Sequence, residues 1–317
     1  MLHMHKILAA SDFSPGADAA LEWALDLAVR FRATLHLIYV EVLRDDPFAP
    51  ASYPKEHTER VRARLREQLT TCAGRRGDVA LETLPDVRCE VLQEDAAATG
   101  ILRYAREEDV DLIVMGTHGR RGIKHLLLGS VAEEVVRLAP MPVLTVRETV
   151  PSRLIRSVLV PVDFSHHAGE ALLYAKELAA RFGARIDVLH VIEEAVYPAF
   201  YNAAVYSVYD IQPEIENEAL RHLKGLCAKT LGVCKDVTVH VRVGHAASEI
   251  VHHAEEQETD LIVMATHGLT GLAHLLIGSV TENVVRRAPC PVFAVKSFGK
   301  SLIAANRKSL EQADAFS

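Results

Sequence analysis

The chain has 317 residues, 49% of them hydrophobic, and carries 42 acidic against 35 basic residues for a net charge of −7. That length suits about two domains of ordinary size, each large enough to bury its own core. The acidic balance argues against a nucleic-acid surface, and no apolar run approaches the roughly 18 residues of a membrane helix, so neither nucleic acid nor membrane is an expected partner.

Met1 to Asp12 runs straight into a strand-like segment, Ile7 to Ala10, with no signal-peptide layout. Ser14-Pro15 opens a helix, since serine caps a helix and proline suits its first turn. Leu21, Ala24, Leu25, Ala28 and Phe31 then fall at helical spacing. A strand over Leu35 to Val40, a charged helix around Thr58 to Thr71, a strand over Val87 to Leu92 and a helix around Ala97 to Arg106 follow. Leu112 to Met115 is a fourth strand; it leads into a glycine loop, a helix from Ser130 and an apolar edge strand over Pro142 to Val146. A charged linker, Arg147 to Ser152, separates this from a second round in the same order. That round has strands over Val158 to Val160, Ile186 to Val191, Val237 to Val243 and Leu261 to Met264. Its helices start at Ser165 (with Leu172, Ala175, Leu178, Ala179 and Phe182), and lie around Ile215 to Cys227 and Ala247 to Glu255. A second glycine loop, a helix from Ser279 and an edge strand over Pro291 to Val295 complete it. Leu302 to Ala313 reads as a loose helix in a tail.

The two rounds are a duplication. Lys6-Ile-Leu-Ala-Ala-Ser-Asp12-Phe-Ser matches Ser157-Val-Leu-Val-Pro-Val-Asp163-Phe-Ser at an offset of 151. Asp111-Leu-Ile-Val-Met-Gly-Thr-His-Gly119 matches Asp260-Leu-Ile-Val-Met-Ala-Thr-His-Gly268 at 149. Alternating strands and helices imply an α/β fold of two tandem, doubly wound, five-stranded parallel-sheet domains, over residues 1–149 and 150–298, with a tail at 299–317. Ligands of such sheets bind beyond the C-terminal strand ends where the strand order switches, which is where Asp12, Val40 and the glycine loop converge.

Each loop has one spacing: Gly116-Thr-His-Gly119, nine residues, Gly129-Ser130, and then Ala265-Thr-His-Gly268, nine residues, Gly278-Ser279. Glycines admit positive φ and close approach of a ligand. Amides gathered by such a turn, at the positive end of a helix, suit a phosphate. Ser130-Val-Ala-Glu133 and Ser279-Val-Thr-Glu282 also read as capping boxes, which need no ligand. GxxxxGK[ST], GxGxxG, GxSxG, HExxH and CxxC are all absent, so no catalytic constellation and no metal ligand set stand out. His166-His167 and His252-His253 are adjacent on helices, where neighbours point about 100° apart and chelate one ion poorly. The five scattered cysteines (Cys72, Cys89, Cys227, Cys234 and Cys290) read as reduced thiols of a cytoplasmic protein. An aromatic stretch, Tyr197 to Tyr209, suits a lid or an interface.

The spacing G-2x-G-9x-G-S after Asp-Leu-Ile-Val-Met-Gly, with Asp-Phe-Ser after the first strand, resembles the universal stress protein family in its tandem two-domain form, over about residues 4–298. The resemblance implies a Rossmann-like fold of the adenine nucleotide alpha hydrolase type and a stress-response protein that binds ATP, with magnesium as its accompanying ion. It implies Asp12 and Asp163 at the ribose, and the backbone of Val40 and Val191 at the adenine. It places Gly116, His118, Gly119, Gly129, Ser130 and Val131 at the phosphates of copy one, and His267, Gly268, Gly278, Ser279 and Val280 at those of copy two. Met115, Met264 and Ala265 belong to the same nucleotide sites, Ala265 beside the ribose. It also implies an internal pseudo-dimer joined through the two last strands, with a homodimer as further assembly. Two departures stand out: Ala265 replaces the first glycine of copy two, and the glycine after the third strand, Gly244, has Asp95 near its place in copy one. A weak ATPase and a nucleotide-free, chaperone-like module are the alternatives.

Overall fold

Alternating apolar runs and amphipathic helices fold, in a computed structural model, as the pattern demands. The structure describes residues 2–43, 54–76, 86–119, 128–148, 154–193, 214–232, 236–266, 278–296 and 299–303. Copy one runs β1 (Lys6–Ser11), α1 (Pro15–Phe31), β2 (Thr34–Val42), α2 (Lys55–Arg76), β3 (Val87–Glu94), α3 (Ala97–Glu107), β4 (Leu112–Gly116), α4 (Ser130–Leu138) and β5 (Val143–Val146). Copy two repeats it as β6 (Ser157–Pro161), α5 (His166–Phe182), β7 (Arg185–Ile192), α6 (Ile215–Leu231), β8 (Val237–Val243), α7 (Ala246–Glu256), β9 (Leu261–Ala265), α8 (Ser279–Arg287) and β10 (Val292–Val295).

Among the described residues ten strands form one sheet in the order β3-β2-β1-β4-β5-β10-β9-β6-β7-β8. Neighbours are parallel within each half, and β5 meets β10 antiparallel, with Leu144 opposite Phe293. The order 3-2-1-4-5 recurs in each half, so each sheet switches direction beside its first strand. Every residue of β5 and β10 is buried, which accounts for their unbroken apolar sequence, whereas the outer strands β3 and β8 are half-exposed throughout.

The two faces of the sheet are organised differently. On one, α1 and α5 both contribute to a single apolar core that runs through both halves from Trp23 and Leu25 to Tyr174, Leu178 and Phe293. Arg30 stacks on Phe182 and Arg181 on Phe31 across the joint. On the other face each half keeps its own cluster, around Ile113, Val135 and Val143 in copy one and around Ile262, Val284 and Val292 in copy two. After each last strand a basic side chain crosses to the other half. Arg147 donates to the carbonyls of Arg287 and Ala288 at the end of α8, and Lys296 to the carbonyl of Val136 near the end of α4. A cation at a helix C-terminus is favourable, but burial pushes the Lys296 amine down to about 7.

The start of the tail is extended rather than helical. Leu302 is buried and donates its amide to the Tyr174 hydroxyl, Ile303 bridges to Leu2, and Lys300 pairs with Asp109 and Asp111. The hydrogen bonds of Leu302 and the bridge to Leu2 hold Leu302 and Ile303 outside a helix; the rest of the helix expected over Leu302 to Ala313 lies outside the described residues. Four cysteines are described, all free, and burial pushes the thiols of Cys72 and Cys290 up to about 12, which leaves them inert.

Candidate functional site

Strand β1 ends at Ser11, opposite Tyr39 of β2, so Asp12 and Val40 emerge at one level. β4 ends beside them: Ala10 pairs with Met115. The chain then turns sharply at Phe13, whose φ of 61° is in the left-handed region, and Phe164 repeats this at 63°. Non-glycine residues hold that conformation at a cost of order 1 kcal/mol, and they concentrate where the surroundings demand it. Here the turn sends the Ser14 amide onto Asp12 Oδ1 at 3.0 Å, and that of Ser165 onto Asp163 Oδ1 at 3.0 Å. Ser14 and Ser165 then cap α1 and α5, accepting from the amides of Ala17 and Ala168 at 3.2 Å. Phe13 lies against Tyr39 and under Arg64, which stacks 4.0 Å from its ring centroid.

The loop glycines of copy one sit where a side chain would be crowded. A Cβ on Gly119 would fall 2.6 Å from Asp12 Oδ2, so the loop passes directly over that carboxylate. A Cβ on Gly116 would meet the Gly16 carbonyl carbon at 2.8 Å, and Gly16 in turn lies against the His118 carbonyl. A Cβ on Gly129 would meet the Thr117 carbonyl oxygen at 3.1 Å, the same oxygen that accepts the Gly129 amide at 2.8 Å. His118 Nδ1 is held 2.9 Å from Thr117 Oγ1. Asp12, Gly116, His118, Gly119 and Gly129 are thus brought together at the C-terminal end of β1 and β4. Met115 is buried in the core beneath them, and Met264 is buried likewise in copy two. Val40 packs its side chain on Gly100 of α3, and Val131 rests half-buried on the copy-one core.

The capping-box reading of Ser130 and Ser279 is corrected. Both are the first helical residues, and the caps are Gly129 and Gly278, with no side-chain cap hydrogen bond. The reason is tertiary: the Gly129 and Gly278 amides are bound to the carbonyls of Thr117 and Thr266, which starts each helix one residue early. Both serines are left exposed at the positive end of their helices.

Copy two keeps the frame: the Gly278 amide binds the Thr266 carbonyl at 2.9 Å and the Thr266 amide binds Val295. Val191 stands in β7 as Val40 does in β2, and Val280 packs on the copy-two core. The close approach of Gly16 and Gly116 is lost, because His167 and Ala265 stand at those positions. Thr281 instead donates to the Ala265 carbonyl at 2.9 Å, where copy one has Ala132. His267, Gly268, Arg120, Arg121 and the aromatic stretch 197–209 lie outside the described residues. The role of Gly16 is invisible in sequence because its partner is 100 residues away; its only signal is the small residue directly after the capping serine and proline.

The model of the Universal stress protein family matches the chain over residues 3–147 and again over 155–296. Two Methanocaldococcus jannaschii proteins are similar to it. Universal stress protein MJ0531 is 33% identical over 144 residues, 45% of this chain and 83% of that protein. Universal stress protein MJ0577 is 32% identical over 157 residues, 46% of this chain and 97% of that protein. The crystal structure of a universal stress protein from Archaeoglobus fulgidus shares the fold with a TM-score of 0.65 at 24% identity, covering 92% of this chain and 98% of that one. No helix among the described residues is long and apolar enough to cross a membrane. With both halves matched by one family model, the chain belongs to the universal stress protein family, in its tandem two-domain form.

Proposed function

We propose that this chain is a stress-response protein that binds ATP in the crevice of copy one and acts through nucleotide-dependent regulation or association rather than as a dedicated catalyst. The observation that carries this reading is the close packing of the loop on Asp12: an added Cβ at Gly119 would fall 2.6 Å from Asp12 Oδ2 and one at Gly129 would fall 3.1 Å from the Thr117 carbonyl oxygen, so small residues keep the loop's main chain beside the aspartate and the start of α4. Backbone amides at the start of a helix, with a serine hydroxyl exposed beside them, are a phosphate cradle. On this reading Asp12 holds the ribose, the Val40 backbone meets the adenine, and Gly116, His118, Gly119, Gly129, Ser130 and Val131 surround the phosphates. Magnesium accompanies those phosphates as counter-charge.

Copy two offers Asp163, Val191, Met264, Ala265, His267, Gly268, Gly278, Ser279 and Val280 for the same work. It is the weaker site on this reading, because Ala265 and His167 replace the two glycines, Gly116 and Gly16, that pack closely in copy one. The domains are read as 1–149 and 150–298, facing each other as an internal pseudo-dimer across β5 and β10 in a cytoplasmic protein, with a homodimer as the larger assembly.

Mass spectrometry of the molecule released on denaturing the purified chain identifies the nucleotide directly. ATP at a hundredfold excess over its dissociation constant adds about 2.7 kcal/mol of stability, read as a rise in Tm. Gly129→Glu, which fills the cradle with a carboxylate, abolishes that rise. A wild-type chain that carries no nucleotide and shows no rise with millimolar ATP overturns the reading.

A further inference from the structure

Away from the crevice of copy one, three side chains with metal-binding atoms meet on the first turn of α5. One ring nitrogen each from His166 and His167 and a carboxylate oxygen of Glu170 all lie within 4.8 Å of one another. The two rings stand edge to face with centroids 5.9 Å apart, and His167 Nδ1 is 4.0 Å from Glu170 Oε2. Adjacent histidines alone diverge around a helix, but Glu170 follows His166 by four residues and His167 by three, so it borders both rows and closes the set. His166 is exposed and the other two are half-exposed, so an ion can enter and exchange.

The duplication supplies an internal comparison. Pro15, Gly16 and Ala19 stand at the corresponding positions of α1 in copy one. There Gly16 serves the close approach to β4, and none of the three carries a donor side chain. Copy two has therefore replaced proline, glycine and alanine by two imidazoles and a carboxylate within a single turn, while keeping the preceding Asp-Phe-Ser and its cap unchanged.

We propose that His166, His167 and Glu170 form a binding site for a divalent transition-metal ion of the zinc class. Two neutral imidazoles and one carboxylate are a borderline donor set that zinc accepts in tetrahedral geometry, with the fourth position left to water or an external ligand. Magnesium and calcium prefer all-oxygen ligands and are poor occupants. The side chains need only small rotations about their own bonds to bring the three donors from their present separations onto one ion. The proposal is independent of nucleotide binding in copy one.

The test is zinc chloride titrated calorimetrically into the chelator-stripped full-length chain, with cobalt(II) visible absorption as a second readout. The expected result is one equivalent bound, undisplaced by excess magnesium, with a cobalt spectrum of tetrahedral character and no thiolate charge-transfer band. His166→Ala and Glu170→Gln, both at solvent-accessible positions, keep the far-ultraviolet circular dichroism of the wild type and weaken that event by about tenfold or more, equivalent to about 1.4 kcal/mol. His252→Ala, which removes an exposed histidine on α7 paired with Glu256, leaves it unchanged. Failure of the wild type to bind zinc at micromolar concentration overturns the proposal. So does binding that survives in both variants, or a cobalt spectrum dominated by thiolate.

Discussion

Asp12 and Gly119 illustrate how tightly single residues are specified here. The 2.6 Å between a Gly119 Cβ and Asp12 Oδ2 is shorter than any real contact, so Gly119→Ala must displace the carboxylate that receives the Ser14 amide. On the nucleotide reading the expected outcome is at least a tenfold loss of ATP affinity, measured by calorimetry, with a modest cost in Tm because the loop is at the surface. The duplicated sequence pointed to Asp12 and Gly119 separately; that they touch is a matter of the fold.

Elsewhere the copies have diverged inside the core. His36 and Tyr104 form a buried hydrogen bond of 2.9 Å in copy one, and Asp187 and His253 take their places in copy two. His253 is 1% exposed, both its ring nitrogens lack a hydrogen-bond partner among the described residues, and its ring lies 4.6 Å from that of His240. Burial, with His240 and Arg242 adding to it against Asp187 and Glu256, pushes His253 down to about 4 from an ordinary 6.5. The unfolded chain therefore takes up the proton first. Stability from this residue is complete above pH 6.5 and falls as pH drops towards 4, by roughly 3 kcal/mol in all. His253→Leu removes that slope from a series of denaturant midpoints taken between pH 4 and 7, and leaves neutral stability within about 1.5 kcal/mol. Neither the pairing of His240 with His253 nor its burial is legible in sequence, where His252-His253 is simply two polar residues on a helix.

At the scale of elements, the four serines at helix starts divide into two kinds. Ser14 and Ser165 accept the amides of Ala17 and Ala168, so Ser14→Ala and Ser165→Ala each cost about 1 kcal/mol in urea denaturation. Ser130 and Ser279 cap nothing. Ser130→Ala leaves stability within about 0.5 kcal/mol, and on the nucleotide reading lowers ATP affinity. If Ser130→Ala costs as much as Ser14→Ala, the capping box is restored and the phosphate role of that serine is lost. Periodicity placed α1 and α5 well because their apolar spacing and their caps agree. It placed α2 short, around Thr58 to Thr71 against Lys55–Arg76 observed, because only Leu65, Leu69, Cys72 and Ala73 of that helix are buried and its ends are charged.

For the molecule as a whole, the consequential contact is between halves. The α1/α5 face is one apolar core from Trp23 to Phe293, and Phe293 itself is 2% exposed. Phe293→Ala is expected to cost about 3–5 kcal/mol. Calorimetry of the wild type should show one cooperative transition rather than two, since neither half can unfold without opening that shared core. Two well-separated transitions would mean that the halves are independent and that β5 and β10 contribute little.

The sequence by itself determined the duplication, the strand and helix order and the parallel α/β class. All of these depend on local spacing, on apolar periodicity and on motifs written twice. Only the tertiary structure decided that ten strands make one sheet, that Gly129 rather than Ser130 caps its helix, and that Gly16 meets Gly116. Each of these depends on contacts between residues far apart in the chain, such as the Thr117 carbonyl with the Gly129 amide or Leu144 with Phe293, whose free energy no local pattern records.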